Sequence, residues 1–304
     1  MSTVAPLASD VATTAAPVRG GHRSPGRMAL RRFLRHRAAV VSLVVLALII
    51  IAVLFADVIA QHQPDATDLS AIRTKPSAEH WLGTDGTGRD VFARLLHAGR
   101  VSLGVGLASA ALAVVLGVVL GSLAGMFGGW VDGLIMRLAD IFLSFPSLVV
   151  MIVLAGILGP SVVTMIIAIG VFQWPICGRL VRGSALSVRE HEYILASRAT
   201  GAHPWWVITR HILPAVLPPV VVAGTLSVAG SIGLEATLSF LGLGIQPPTA
   251  SWGNMLNEAQ SLTVIRNQPW LWLPPGLAVA VTVLGVNFIG DGLRDALDPK
   301  QGGR

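Results

Sequence analysis

Lysine occurs twice and cysteine once in 304 residues, and only 12% of the chain is charged. Each shortage removes a class of function. So little charge beside 53% hydrophobic residues leaves too little polar surface for a soluble globular protein and places the chain in a membrane. One cysteine, Cys177, excludes an internal disulfide, and its apolar neighbourhood predicts a buried, inert thiol. A phosphate-binding loop needs a glycine-rich turn that ends in lysine and then serine or threonine. Lys75 stands in "IRTKPS" and Lys300 in "LDPKQG", so neither supplies one. There is no HExxH, and all eight histidines fall outside the long apolar runs, so neither a metal site nor a catalytic constellation is expected.

The apolar runs are where the sequence is rich. Spans of about 20 residues are predicted at 38–60, 101–127, 143–159, 161–178, 215–245 and 269–290. The first exceeds a signal-peptide core and is read as a retained span. Residues 1–27 have the composition of a disordered tail. With the N-terminus inside, the cytoplasmic segments are 1–37, 128–142, 179–214 and 291–304, and they hold 16 of the 22 basic residues. The segments 61–100 and 246–268 then face outward, and both termini are cytoplasmic. The arginine-rich N-terminal flank signals topology and affinity for anionic lipid rather than nucleic acid.

Carriers driven by coupled ions place ionisable groups deep in the bilayer. Here the one acid well inside a span is Glu235, about 32 Å along its helix from Pro214 at 1.5 Å per residue, hence close to the outer face. In the second span Ser109, Ala113, Gly117, Gly121 and Gly125 recur every fourth residue, a seam that lets another helix of the same protein approach closely. "WVDGLIMRLADIFL" is amphipathic and is expected along the inner surface, with Pro146 starting or kinking the third span.

The long polar interruption near the end of the chain is "EYILASRATGAHPWWVITRHILP", Glu192 to Pro214. Glu190 and Glu192 suit a helix N-terminus, Arg198 its C-terminal turn, and Gly201 the left-handed residue that ends it. Pro204 suits the first turn of a second helix, which should stop at Pro214. Between the two lies a patch of small residues, Ala196, Ser197, Ala199 and Thr200, shaped for a partner. Gly201 is expected at positive φ, and a larger side chain there is expected to part the two helices. On the outer side, "LGTDGTGRD" reads as a turn built on Gly83, Gly86 and Gly88 that caps an amphipathic helix. "IQPPTASWGNM" reads as an irregular loop near the mouth of a pathway.

These residues carry a family resemblance. The stretch ending "LASRATGAHPWWVITRHILP" resembles the EAA loop of membrane subunits of bacterial ATP-binding cassette importers, with Leu195, Ala196, Ser197, Gly201, His211, Leu213 and Pro214 in the motif positions. Leu195 stands where the family has glutamate, and Ser197 where it has a second alanine. Glu192, one turn away, is a candidate substitute for that carboxylate. "SAEHWLGTDGTGRDVFARLLHAGRVSL" (77–103), "FGGWVDGLIMRLADIFLSFP" (127–146), "EATLSFLGLGIQPPTASWGNML" (235–256) and "GDGLRDALDP" (290–299) are similar to the C-type permease of dipeptide, oligopeptide and nickel importers. The resemblance covers residues 28 to 300.

It implies an all-α integral membrane protein of the type I importer fold, with six transmembrane helices, in the bacterial inner membrane. It also implies no catalysis by this chain, ATP and Mg2+ being held by cytoplasmic ATPase partners. The further partners implied are a homologous second permease subunit and an extracytoplasmic binding protein that delivers peptide. Coupling to the ATPases is expected through Glu192, Ala196, Ser197, Arg198, Gly201, Ala202, Leu213 and Pro214. The residues expected at the outer gate or pathway are Glu235, Trp252 and Asn254. An ATP-independent carrier or channel is the alternative.

Overall fold

The computed structural model describes residues 25–297; most of the tail expected at 1–27 and the end of the one expected at 291–304 lie outside them, while Pro25–Arg27, expected in the disordered tail, open a helix. Helices account for nearly all regular structure. A short α1 (Pro25–Phe33) leads into α2 (Arg37–Leu54), whose N-cap is His36, with Nδ1 accepting from Ala39 N at 3.1 Å. The first span then breaks at Phe55 and ends in α3 (Ala56–Ile59). After a long coil holding one 3-10 turn at Leu69–Ala71, α4 runs unbroken from Val91 to Phe127. The amphipathic outer helix and the second span are thus one rod of 37 residues. Nothing between them breaks a helix, and the Asp90 side chain caps its start by accepting from Ala93 N at 2.7 Å.

The third expected span is different in kind. α5 (Gly129–Ser144) and α6 (Ser147–Leu158) meet at Pro146 with a bend of 86°. Alone, the 12 residues of α6 reach about 18 Å, short of a bilayer core. Salt bridges from Asp132 to Arg182 and from Asp140 to Arg179 clip α5 to α7 (Val162–Arg189). α7 passes through Pro175 without a break and continues eleven residues past the expected end of its span. Then come α8 (Glu192–Ala199), α9 (Pro204–Val207), α10 (Leu213–Phe240), α11 (Trp252–Glu258), α12 (Leu262–Asn267) and α13 (Pro269–Leu297). Among the described residues five helices are long and apolar enough to cross a membrane, six crossings if the bent α5–α6 pair counts as one.

Two expectations about the loop before α10 are corrected. The second helix does not stop at Pro214, because α9, a π-helical turn at Ile208–Ile212 and α10 form one continuous stretch. A proline clashes with the carbonyl four residues back in a regular helix; the wider π turn just before Pro214 relieves that crowding. Glu190 also does not open α8: it is the C-cap of α7, and α8 begins at Glu192.

The core is the packing of α4 on α7. Ser109, Ala113, Gly117, Gly121 and Gly125 are all buried. A Cβ on Gly117 would lie 2.6 Å from Cys177 Cβ, one on Gly121 2.5 Å from the Gly178 carbonyl oxygen, and one on Gly125 2.5 Å from Ala185 Cβ. The seam therefore serves packing within the chain, as expected. In lipid, where apolar burial gives helices no advantage over tails, such close van der Waals contact is what holds two rods together.

Candidate functional site

At one end of the bundle α8 and α9 form a hairpin. Ile194, wholly buried, joins Val207, Ile208 and Ile212 on a cluster with Val181 and Ala185 of α7 and Met126 of α4. One apolar side chain every few residues thus fixes the hairpin to the ends of the two central rods. α8 closes in a Schellman arrangement: Ala202 N–H donates to Ser197 C=O and Gly201 N–H to Arg198 C=O, both at 3.0 Å. Gly201 has φ +88°, the left-handed conformation expected of it. The expected steric role is corrected, since a Cβ there would meet nothing within 4 Å. Only the backbone conformation demands glycine.

The face left uncovered is specific. Glu192, Leu195, Ala196, Arg198 and Ala199 are exposed, and so are Tyr193 and Trp205. The hydroxyls of the small-residue patch are spent on α8 itself, Ser197 Oγ donating to Tyr193 C=O at 2.8 Å and Thr200 Oγ1 to Ser197 C=O at 2.9 Å. What the patch offers a partner is therefore small carbon surface, flanked by one acid and one arginine. Ala202 and Leu213 are half-buried against the apolar cluster, while Pro214 is exposed at the start of the span, away from the tip. Sequence reasoning missed a run of rings, His191, Tyr193, His211 and Trp206, with successive centroids 5.6, 5.5 and 5.0 Å apart. Of these only His211 holds a motif position, and the stacking depends on the turn that brings the two helices together.

At the other end, α11 lies over α4 and α10. Trp252 is 1% exposed. Its indole N–H donates to Leu95 C=O at 3.0 Å and its backbone N–H to Ser102 Oγ at 3.1 Å. Asn254 closes a capping box with Ser251 and ties down the preceding coil by donating to Thr249 C=O at 2.7 Å. Glu235 is wholly buried, Oε1 accepting from Ser239 Oγ at 2.8 Å. The irregular stretch expected at 245–255 ends at Ser251, where α11 begins. All three expected gate residues are thus brought to one region, inside its packing.

A charged clamp beside them was not foreseen. Arg94, 1% exposed, grips both carboxylate oxygens of Glu258, at 2.8 and 3.0 Å, and also pairs with Asp85. Arg89 joins the same two acids at 2.7 and 3.0 Å. Of the turn glycines, Gly83 and Gly88 have positive φ and Gly86 does not. Burial works to raise the Asp85 carboxyl, but hydrogen bonds from Thr87 and Arg89 and the Arg89 charge outweigh it and hold it below its ordinary value. A depressed folded value means that this stability is present above the unfolded carboxylate pKa of about 3.9 and is lost as pH falls through the folded value. Removing Glu258 leaves Arg94 half-paired and unhooks α11. Glu258→Ala is expected to cost about 2–4 kcal/mol, read as a lower thermal midpoint in detergent at neutral pH.

Among the described residues, a helical bundle with five candidate spans that carries an exposed hairpin on its own buried cluster defines a polytopic membrane protein. The chain belongs to the binding-protein-dependent transport system inner membrane component family, whose model matches residues 117–303. Residues 24–76 match the N-terminal transmembrane domain of oligopeptide transport permease C. It is 45% identical over 279 residues to a putative peptide permease protein of Brucella suis, covering 91% of this chain and 92% of that one. A dipeptide transport system permease protein of Alkalihalophilus pseudofirmus is 43% identical over 91% of this chain and 90% of its own. A glutathione transport system permease protein of Pectobacterium atrosepticum is 42% identical over 91% and 92%. The chain is thus a C-type membrane permease of the ATP-binding cassette importer class, and is not itself catalytic.

Proposed function

We propose that this chain forms, with a homologous second permease subunit, the translocation pathway of a peptide importer, opened alternately to each side of the inner membrane. Both termini and the α8–α9 hairpin face the cytoplasm, in keeping with the 16 basic residues on that side. Cytoplasmic ATPases bind ATP and Mg2+ and close on each other, and the hairpin carries that closure to α7 and α10. An extracytoplasmic binding protein delivers peptide at the opposite end. There Glu235, Trp252 and Asn254 act through the seating of α11 on α4 and α10, and the six-span count takes α5 and α6 as one broken crossing.

The observation that carries this reading is the hairpin: its apolar side is rooted in the two rods that pack at the core, and its tip is bare. A surface that moved would move α4 and α7 with it. Purification of the chain in mild detergent tests the reading, because an importer permease should bring a stoichiometric ATPase with it. A charge reversal at the bare tip, Arg198→Glu, should lower that yield severalfold. Full transport by a preparation with no ATPase would establish the alternative, an ATP-independent carrier.

A further inference from the structure

Three side chains of the coil between α3 and α4 converge although the sequence assigns them no joint role. His62 follows α3, His80 precedes the glycine turn, and Asp90 caps α4. One ligand-competent atom of each lies within 4.8 Å of those of the other two. His80 is 9% exposed and Asp90 4%. His80 Nδ1 stands 2.9 Å from Asp90 Oδ2, and the rings of His62 and His80 have centroids 4.7 Å apart. His62 Nε2 is 3.0 Å from the Glu79 carbonyl oxygen.

The helix cap explains Asp90, and its bond to His80 explains one imidazole. Neither explains a second imidazole held against the first. One nitrogen of His62 already faces the Glu79 carbonyl oxygen, the arrangement that orients a metal-binding histidine by fixing its tautomer.

We propose that His62, His80 and Asp90 form a binding site for a divalent first-row cation of the zinc type. Imidazole and carboxylate together suit Zn2+, Ni2+ or Cu2+ better than Mg2+ or Ca2+, which take oxygen ligands. Bonds of about 2.0–2.2 Å in a tetrahedron place neighbouring ligand atoms about 3.4 Å apart. His80 and Asp90 are already that close. Only His62 has to approach, by at most about 1.5 Å on that geometry, and it lies partly exposed on coil that can make the move. The ion takes the place of the proton shared by His80 and Asp90, and a water completes its coordination. Bound there, it would fasten the coil after α3 to the first turn of α4, next to the Arg94–Glu258 clamp. None of this depends on the cargo or on the coupling role of the hairpin.

The test uses the full chain with the subunits that accompany it, purified without a polyhistidine tag, stripped with chelator and dialysed against Zn2+. The wild type is expected to retain one more zinc per complex than His62→Ala, and competition with a chromophoric chelator should show at least tenfold tighter uptake. Co2+ in place of Zn2+ should give a tetrahedral visible band in the wild type and none in His62→Ala. His62 lies partly exposed on coil, so this variant keeps the fold, which equal thermal midpoints without metal verify; Zn2+ should then raise the midpoint of the wild type alone. Equal zinc content in the two proteins, or no zinc in either, overturns the proposal.

Discussion

Gly121→Val is expected to remove nearly all folded protein from the membrane. The added Cβ would stand 2.5 Å from the Gly178 carbonyl oxygen, 2.8 Å from Val181 Cβ and 3.1 Å from the Arg182 amide nitrogen. The carbonyl and the amide are backbone of α7, committed to its hydrogen-bond ladder, so neither can turn aside as a side chain would. The rods must separate, which also opens the contacts at Gly117 and Gly125. Overpacking an adaptable core costs about 1–3 kcal/mol, and a seam with backbone on both sides has less room to adapt. Detergent extraction followed by size-exclusion chromatography should show less than about a tenth of the wild-type monodisperse peak, at the upper end of that cost. Gly104→Val, on the same helix but with nothing within 4 Å of the added carbon, should leave the peak unchanged. A monodisperse Gly121→Val would mean that α4 and α7 are not packed as described.

Gly201→Val is expected to do the reverse, sparing the fold and breaking communication. At φ +88° a residue with a Cβ pays about 1–2 kcal/mol, and a β-branched one at least that. Since the space around Gly201 is open, strain is the whole effect, and it falls on the turn that sets the angle between α8 and α9. The α4–α7 seam is untouched, so the amount in the membrane should stay near normal. On the proposed coupling role, peptide-stimulated ATP hydrolysis should fall about tenfold, the equivalent of about 1.4 kcal/mol. Gly201→Asn, which tolerates positive φ, should be milder. Conservative changes at Leu195, exposed and lacking the family's carboxylate, should matter less than either. Normal hydrolysis by Gly201→Val at equal expression would show that this hairpin is not the coupling element.

Hydropathy and local stereochemistry made much of this legible in one dimension. A span needs only a run of apolar residues, so the membrane class and the five long apolar helices found among the described residues could be read directly. Gly201 at positive φ and Pro204 at a helix start were legible for the same reason: each follows from what one residue's backbone permits. The bent α5–α6 pair was less so, because Pro146 announces a break and not the angle of 86° that follows. Local patterns also drew two helices too short, α4 starting ten residues earlier and α7 ending eleven later than expected, since no residue between 91 and 127 or between 162 and 189 stops a helix once it is packed on both sides.

The sequence by itself determined that this protein is a helical membrane protein with a polar helical hairpin, because composition, hydropathy and turn chemistry act over a few residues; the permease class came from motifs that resemble a known family. Only the tertiary structure decided which surfaces meet. Spacing by four shows that Gly117, Gly121 and Gly125 share a face, but not that α7 fills it. Arg94 and Glu258 are 164 positions apart, and their pairing exists only because α11 folds back over α4. Trp252 reads as a loop residue until the same return buries it. His62, His80 and Asp90 lie in no metal-binding spacing, and a coil without regular hydrogen bonds gives no rule for where its side chains point. Their meeting follows from the path of the chain between two helices, which is set by the packing at both of its ends.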